Sequence, residues 1–221
     1  MTEFEVRESV RLGAVMRFSD DGQERTTMMK RMVMTLALAV CCANGVQAQM
    51  GAAAPKIPAG SMVEPSKSFD ALLNIYESEM MGLVNAMPAD KYDFAPSQAI
   101  FKPEQVTKYE GVRTFGQMVG HVAQANYFFY GSLGGGKPDV DVKAIGSMTS
   151  KEDLVKALAA SFAYAHKQIA TMTPANAFAS VKDDQTKASM VAFGIAHGFD
   201  HYGQLAEYLR MNGIVPPASA K

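Results

Sequence analysis

The chain is poor in the residue types that mark several common classes of protein. Only two cysteines occur among its 221 residues, Cys41 and Cys42, and both lie close to the N-terminus. The rest of the chain therefore has no disulfide, no thiolate metal ligand and no cysteine nucleophile. The 21 basic and 22 acidic residues nearly cancel, and no long run of Lys or Arg occurs. This argues against the clustered basic surface on which nucleic-acid binding depends, so we expect no nucleic-acid partner.

Long apolar runs are also missing, although one short run has the layout of an export signal. Residues 28–48 read MMKRMVMTLALAVCCANGVQA: two basic residues, an apolar stretch and a small-x-small ending at Ala48. The apolar stretch is about a dozen residues long, whereas a membrane-spanning helix needs roughly 20. We expect a signal peptide cleaved near Ala48, no stable membrane span, and a periplasmic or secreted protein.

The residues around this signal leave two questions open. Residues 1–27 are polar and mixed in charge, a poor start for an export signal. They are either an upstream extension or a misassigned start, with translation beginning at Met28 or Met29. A lipoprotein with lipid attached at Cys41 is the alternative, but such a cysteine usually follows a small residue, and here Val40 precedes it.

The remaining chain predicts a single all-α domain over residues 68–217. Residues 49–67 are rich in Ala, Gly and Pro without a period, which is typical of a flexible linker. Apolar residues then recur at steps of three and four, and no strand alternation is evident. This pattern predicts a four-helix bundle. The predicted helices span about 68–87, 114–130, 150–172 and 185–211, with a long connection containing a short helical turn at 88–113.

Two of the four histidines form a pair with metal-ligand spacing. The segment His197-Gly-Phe-Asp-His201 places two imidazoles on one helix face, about 6 Å apart, where both can bind one metal ion. Phe193 and Leu205 flank the pair on the apolar stripe of the last helix, so we expect the histidines to point into the bundle. His121 lies similarly on the second helix.

Imidazoles inside a bundle need partners. Burial without partners costs free energy, whereas a metal ion uses their lone pairs and fixes their tautomers. Histidines bonded to backbone or to water are the alternative. Three neutral ligands leave coordination positions open, which is the arrangement of a catalytic site.

Other residues have candidate roles beside this triad. Gln204, two helical turns after the first histidine of the pair, either bonds a ligand at the metal or is a packing amide. Tyr202, Tyr127 and Tyr208 either line the open side of the site or are core aromatics. His166, near the end of the third helix, either has a structural role, favoured there by the helix dipole, or is a fourth ligand.

The last helix and its exit resemble those of the DinB-like (DinB/YfiT-like) superfamily of four-helix metal proteins. The residues that carry the resemblance are His197-Gly-Phe-Asp-His201-Tyr-Gly-Gln204-Leu, Glu207-Tyr-Leu-Arg210 and Gly213-Ile-Val-Pro-Pro217, with Phe115-Gly-Gln-Met-Val-Gly-His121 on the second helix. The resemblance spans about 68–217. It implies an up-down-down-up helix order and one divalent transition metal ion, Zn or Ni, bound by His121, His197 and His201. Many members have Arg where this chain has Tyr202, and the better-understood members are cytoplasmic.

The function implied by this resemblance is a metal-dependent enzyme, a hydrolase or thiol-dependent transferase, with a small-molecule substrate. A non-catalytic metal-binding or stress-associated structural module is the alternative, and a homodimer is expected. We expect Asp200 and Glu207 to point toward solvent, so no carboxylate base is assigned. No P-loop, Rossmann or G-x-S-x-G pattern follows the signal segment, and we expect no organic cofactor.

Overall fold

The computed structural model describes residues 57–97, 100, 102, 104, 105 and 111–220. The chain divides into two units, Met1–Gly60 and Ser61–Lys221, and the described helices and strands all belong to the second unit. The predicted upstream extension, signal peptide and cleavage point lie outside the described residues. Among the helices that are described, none combines the length and apolarity that crossing a membrane requires.

The described part is almost entirely helical, which confirms the all-α prediction. Four helices are long and one, α3, is a single turn. Their bounds are α1 Pro65–Ala86, α2 Phe115–Gly131, α3 Val142–Ile145, α4 Lys151–Ile169 and α5 Lys187–Met211. Short 3₁₀ turns occupy Ala89–Lys91 and Pro217–Ser219.

The helix starts follow from local side-chain chemistry. The capping box predicted for α2 is present: the Thr114 hydroxyl accepts from the Gln117 amide at 3.2 Å, and the Gln117 side chain accepts from the Thr114 amide at 2.9 Å. Helix α1 begins at Pro65, three residues before the predicted start at about 68. Proline suits a first helical position because its missing N–H has no partner there.

A small hairpin before α5 was not predicted. Strands β1 (Ser180–Lys182) and β2 (Gln185–Thr186) pair antiparallel. Asp183 in the turn has a left-handed φ of 50°, which Asp tolerates better than most residues. Strands this short show no alternation that a sequence pattern can reveal.

Each of the four long helices packs against two of the others. Helix α1 packs against α4 and α5, and α2 packs against the same two helices. At the start of α4, the Lys151 ammonium donates to the carbonyls of Asn85 (2.8 Å) and Met87 (2.7 Å), where α1 ends. Between α2 and α4, Asn126 donates to Ser161 at 3.0 Å, so this buried polar pair is satisfied.

The predicted core faces are partly correct. The face predicted for α4 is buried throughout: Leu154, Leu158, Phe162, Ala165 and Ile169. Two apolar residues that follow the helical period are instead exposed: Leu72 on α1 by 48%, and Phe193, predicted to lie on the apolar stripe of the last helix, by 58%. On α5 the buried face includes two glycines, Gly194 and Gly198. A Cβ on Gly198 would overlap the Tyr76 ring of α1, so only a glycine allows this approach. The helix is thereby rotated and Phe193 lies outside.

Candidate metal centre

The three histidines predicted as ligands lie together in the structure. His121 comes from α2, and His197 and His201 come from consecutive turns of α5. One nitrogen from each lies within 4.8 Å of the others. The ring centroids are 4.4 Å apart for His197 and His201, 4.8 Å for His121 and His201, and 5.3 Å for His121 and His197. Two helices thus bring three imidazoles to a common point.

Close packing of α2 against α5 makes this convergence possible. Gly194, one turn before His197, has no side chain, and Phe129 and Tyr130 of α2 occupy the space beside it. A Cβ built on Gly194 would lie 3.1 Å from Phe129 and 3.2 Å from Tyr130. The Phe129 ring also contacts the His197 ring, with centroids 5.2 Å apart, and so limits how that imidazole can rotate.

A chain of hydrogen bonds orients His201. The exposed Asp200 carboxylate accepts from the Gln204 side-chain nitrogen at 3.3 Å, which turns the amide oxygen toward the imidazole. That oxygen lies 3.0 Å from His201 Nδ1 and can only accept, so Nδ1 carries the proton. In the neutral ring Nε2 then holds the lone pair, on the side of the triad. This is how proteins commonly fix the tautomer of a metal-binding histidine.

The spacing of the ligand atoms fits a metal ion. His201 Nε2 and His197 Nε2 lie 3.1 Å apart. Two nitrogens at the usual Zn–N distance in a tetrahedral site are about 3.3 Å apart. Without an ion or a proton between them, two lone pairs at this distance would repel. The pair of nitrogens and the nearby His121 therefore form a donor set suited to one divalent ion.

Electrostatics keep two of the ligands neutral. Burial lowers the pKa of His121 to about 4, helped by the charges of Arg113, His201 and His197. Burial is also the largest cause that lowers the pKa of His197, followed by the charge of His201. Near neutral pH both rings have a lone pair free for a metal ion.

The site lies nearer the surface than predicted. His201 is buried, with 8% of its surface exposed, but His121 and His197 are only half-buried. The His197 ring packs on the buried Phe129 ring, so the pair lies at the edge of the buried face of α5 and not fully inside it. A centre in this position can be reached from solvent.

The tyrosines named as lining candidates contact other partners. Tyr127 packs on Tyr164 (centroids 5.1 Å apart), and Tyr202 packs on Phe199 (6.2 Å). Burial and the charge of Glu79 on α1 raise the pKa of Tyr202, which indicates that this ring lies on the α1 side of α5. The hydroxyl of Tyr208 donates to the Arg113 carbonyl at 3.2 Å. These contacts favour the core-aromatic alternative.

His166 belongs to a different cluster. Its Nδ1 lies 2.5 Å from the Asp70 carboxylate and its Nε2 lies 2.9 Å from the Glu77 carboxylate, both on α1. Burial lowers the pKa of His166, but the hydrogen bonds and charges of the two carboxylates outweigh it and raise the pKa overall. Both ring nitrogens are occupied, which favours the structural role over that of a fourth ligand.

Sequence reasoning missed two features of the centre. Asp200 is exposed as expected, but it also orients Gln204, and the i, i+4 spacing of these residues could have revealed the contact. Glu207 is likewise exposed, and it pairs with Arg210 at 2.8 Å. The second feature is the contact between Phe129 and His197. It joins two helices, and no local sequence pattern indicates it.

A comparison with curated proteins finds no match. A family model described as DinB superfamily matches residues 73–205, which is more than half of the chain and includes all three histidines. A three-histidine cluster that can hold a metal ion is consistent with this match. The chain belongs to the DinB superfamily, as its last helix predicted.

Proposed function

We propose that this protein is a divalent-metal-dependent enzyme, a hydrolase or a thiol-dependent transferase, that binds Zn or Ni through His121, His197 and His201. The observation that carries the proposal is the convergence of three imidazole nitrogens, from two helices, within 4.8 Å. Neutral imidazoles suit both metals. Three protein ligands also leave at least one position of a four-coordinate ion for substrate.

A divalent ion bound there would act as a Lewis acid, lowering the pKa of a water or thiol so that a nucleophile is available near neutral pH. The side chains have complementary roles. Gln204 holds the His201 proton on Nδ1, and Phe129 restrains the His197 ring. The partial exposure of His121 and His197 supports access for a small molecule.

We propose further that the four long helices form a bundle in up-down-down-up order. Contacts between α1 and α4 support an antiparallel pair, since the start of α4 meets the end of α1 at Lys151 and Asn85. Contacts between α2 and α4 support a parallel pair, because Gly116 lies near Leu154 and Gly135 near Gln168.

The contacts of α5 support the same order. Tyr76 lies beside Gly198, and Gly82, later in α1, lies beside Pro217, which supports a parallel α1 and α5. Phe129 packs on Phe193, and His121 packs on His201, which supports an antiparallel α2 and α5.

Export is the third part of the proposal. The basic, apolar and small-residue layout of 28–48 supports removal of a signal peptide and action in the periplasm or outside the cell. Sequencing the N-terminus of the mature protein should find Gln49. A mature N-terminus upstream of Met28 would contradict this part.

Metal content tests the site itself. We expect about one equivalent of Zn or Ni per chain by elemental analysis of the purified wild type, and a large loss in His121→Ala. His166→Gln is the matched control, because this histidine lies in the cluster with Asp70 and Glu77. Equal metal in wild type and His121→Ala would refute the triad.

Cobalt substitution separates an enzyme from a non-catalytic metal module. A site with an exchangeable position should change its visible absorption spectrum when azide or a small thiol is added. A cobalt spectrum that does not change with either reagent would favour the non-catalytic structural module instead.

A further inference from the structure

Two large apolar side chains are exposed beside the histidine cluster. Phe128 of α2 is 70% exposed and Phe193 of α5 is 58% exposed. Both contact the buried ring of Phe129, with centroids 5.2 Å and 5.1 Å away, and Phe129 in turn contacts His197 at 5.2 Å. An unbroken series of aromatic rings therefore leads from the candidate metal centre to the surface.

Helix geometry places both exposed rings to one side of the triad. Phe193 precedes His197 by four residues, so the two share a face of α5 and lie about 6 Å apart along the axis. Phe128 follows His121 by seven residues, which puts it on the same face of α2, about 10 Å along the axis. Because Phe129 contacts both Phe128 and Phe193, the two exposed rings lie toward the same end of the α2 and α5 pair.

A small residue lies between His121 and Phe128 on α2. Ala125, one turn after His121, has only a methyl group, and it is half-buried. The surface of α2 between His121 and the exposed Phe128 therefore carries no large side chain at this position. An exposed pair of phenylalanines next to a site is more informative than a single exposed ring, since isolated apolar residues are common on protein surfaces.

We propose that Phe128 and Phe193 bind the apolar body of the ligand whose head group reaches the three histidines. The substrate class is an amphipathic small molecule with a metal-binding head group, such as an acid or a thiol. Its body is aromatic or branched alkyl, about 6–10 Å from the head group along the helix axes. This inference rests on the proposed function, because it needs a metal ion at the triad.

Binding of two hydroxamates to the full chain loaded with Co²⁺ tests the proposal. Acetohydroxamate has the head group alone, whereas 3-phenylpropanohydroxamate adds an aromatic body at the required distance. Dissociation constants come from titrating the cobalt absorption bands. We expect the aryl compound to bind wild type about tenfold more tightly, the gain of one or two good aromatic contacts.

Alanine variants test whether this preference for the aryl compound depends on the two exposed rings. Phe193→Ala and Phe128→Ala should each reduce the preference to about threefold or less, with little change for acetohydroxamate. Phe193→Leu should retain part of it. Phe178→Ala, which removes an 80% exposed phenylalanine from the segment before β1, is the matched control and should keep the wild-type preference.

Equal affinity of wild type for the two compounds would overturn this inference, as would a preference that survives loss of both rings. Cobalt uptake without binding of either hydroxamate would overturn it as well, because it would show a closed site. Absence of cobalt uptake would overturn the proposed function, and this inference with it. Metal uptake measured first therefore distinguishes the two failures.

Discussion

Substitution of Gly198 by alanine tests whether α1 and α5 pack so closely at this position that only glycine fits. Alanine is about 1 kcal/mol better than glycine inside a helix, so propensity alone predicts stabilisation. The structure predicts the opposite, because the new methyl group would overlap ring and hydroxyl atoms of Tyr76. Tyr76 is fully buried and packs on Phe162 (5.0 Å) and Phe199 (5.3 Å), so its ring is held by neighbours on two further sides.

The magnitude follows from these opposing effects. Overpacking of a tight core costs about 1–3 kcal/mol, and a ring held on several sides favours the upper end. After the gain in helix propensity, we expect Gly198→Ala to lower the free energy of unfolding by about 2 kcal/mol. For a domain of this size the midpoint of thermal unfolding should fall by about 4–8 °C.

The same substitution elsewhere on α5 is the matched control. Gly203 is exposed, and a Cβ added there would meet nothing within 4 Å. Gly203→Ala should therefore raise the free energy of unfolding through helix propensity alone, by about 1 kcal/mol. Its midpoint of thermal unfolding should lie about 2–4 °C above that of wild type. Thermal unfolding followed by circular dichroism in the presence of a chelator measures both variants. A Gly198→Ala protein as stable as wild type, or more so, would refute the packing argument.

Three further predictions concern single side chains. Gln204→Ala should weaken metal binding about tenfold because it frees the His201 tautomer, whereas Glu207→Ala should not; equal affinities by calorimetry would contradict the hydrogen-bond chain. The stabilisation by His166 is complete below its unfolded pKa of about 6.5 and is lost as pH rises through its raised folded pKa. The difference in unfolding free energy between wild type and His166→Gln should therefore narrow above pH 6.5, and a constant difference would argue against the ion pairs. Tyr130 has a buried hydroxyl with no protein hydrogen-bond partner among the described residues, so Tyr130→Phe should cost less than about 1 kcal/mol in denaturant unfolding; a loss above 2 kcal/mol would mean that the hydroxyl is bonded.

Local patterns were sufficient for most of the fold. The capping box at Thr114 and the apolar periods located the long helices to within a few residues, because hydrogen bonds inside one segment set these features. The spacing of His197 and His201 was equally local, since residues four apart on a helix lie on one face. His121, in a similar position on the second helix, was predicted as the third member, and the resemblance to DinB-like proteins implied the same three histidines. The sequence therefore predicted which histidines come together.

Contacts between distant segments decided the rest. His166 pairs with Asp70, 96 residues away, and no pattern around either residue indicates it. The closeness of α1 to α5 at Gly198 turned Phe193 outward, where periodicity alone had predicted a core residue.

From its sequence alone the protein could be recognised as a set of amphipathic helices with a histidine triad, because the local chain encodes helix faces and ligand types. Only the tertiary structure decided that the triad lies near the surface, with His197 packed on Phe129 and the exposed ring of Phe193 beside them. The physical reason is steric: the rotation of a helix depends on which of its residues can approach a neighbour most closely, and on α5 these are its glycines.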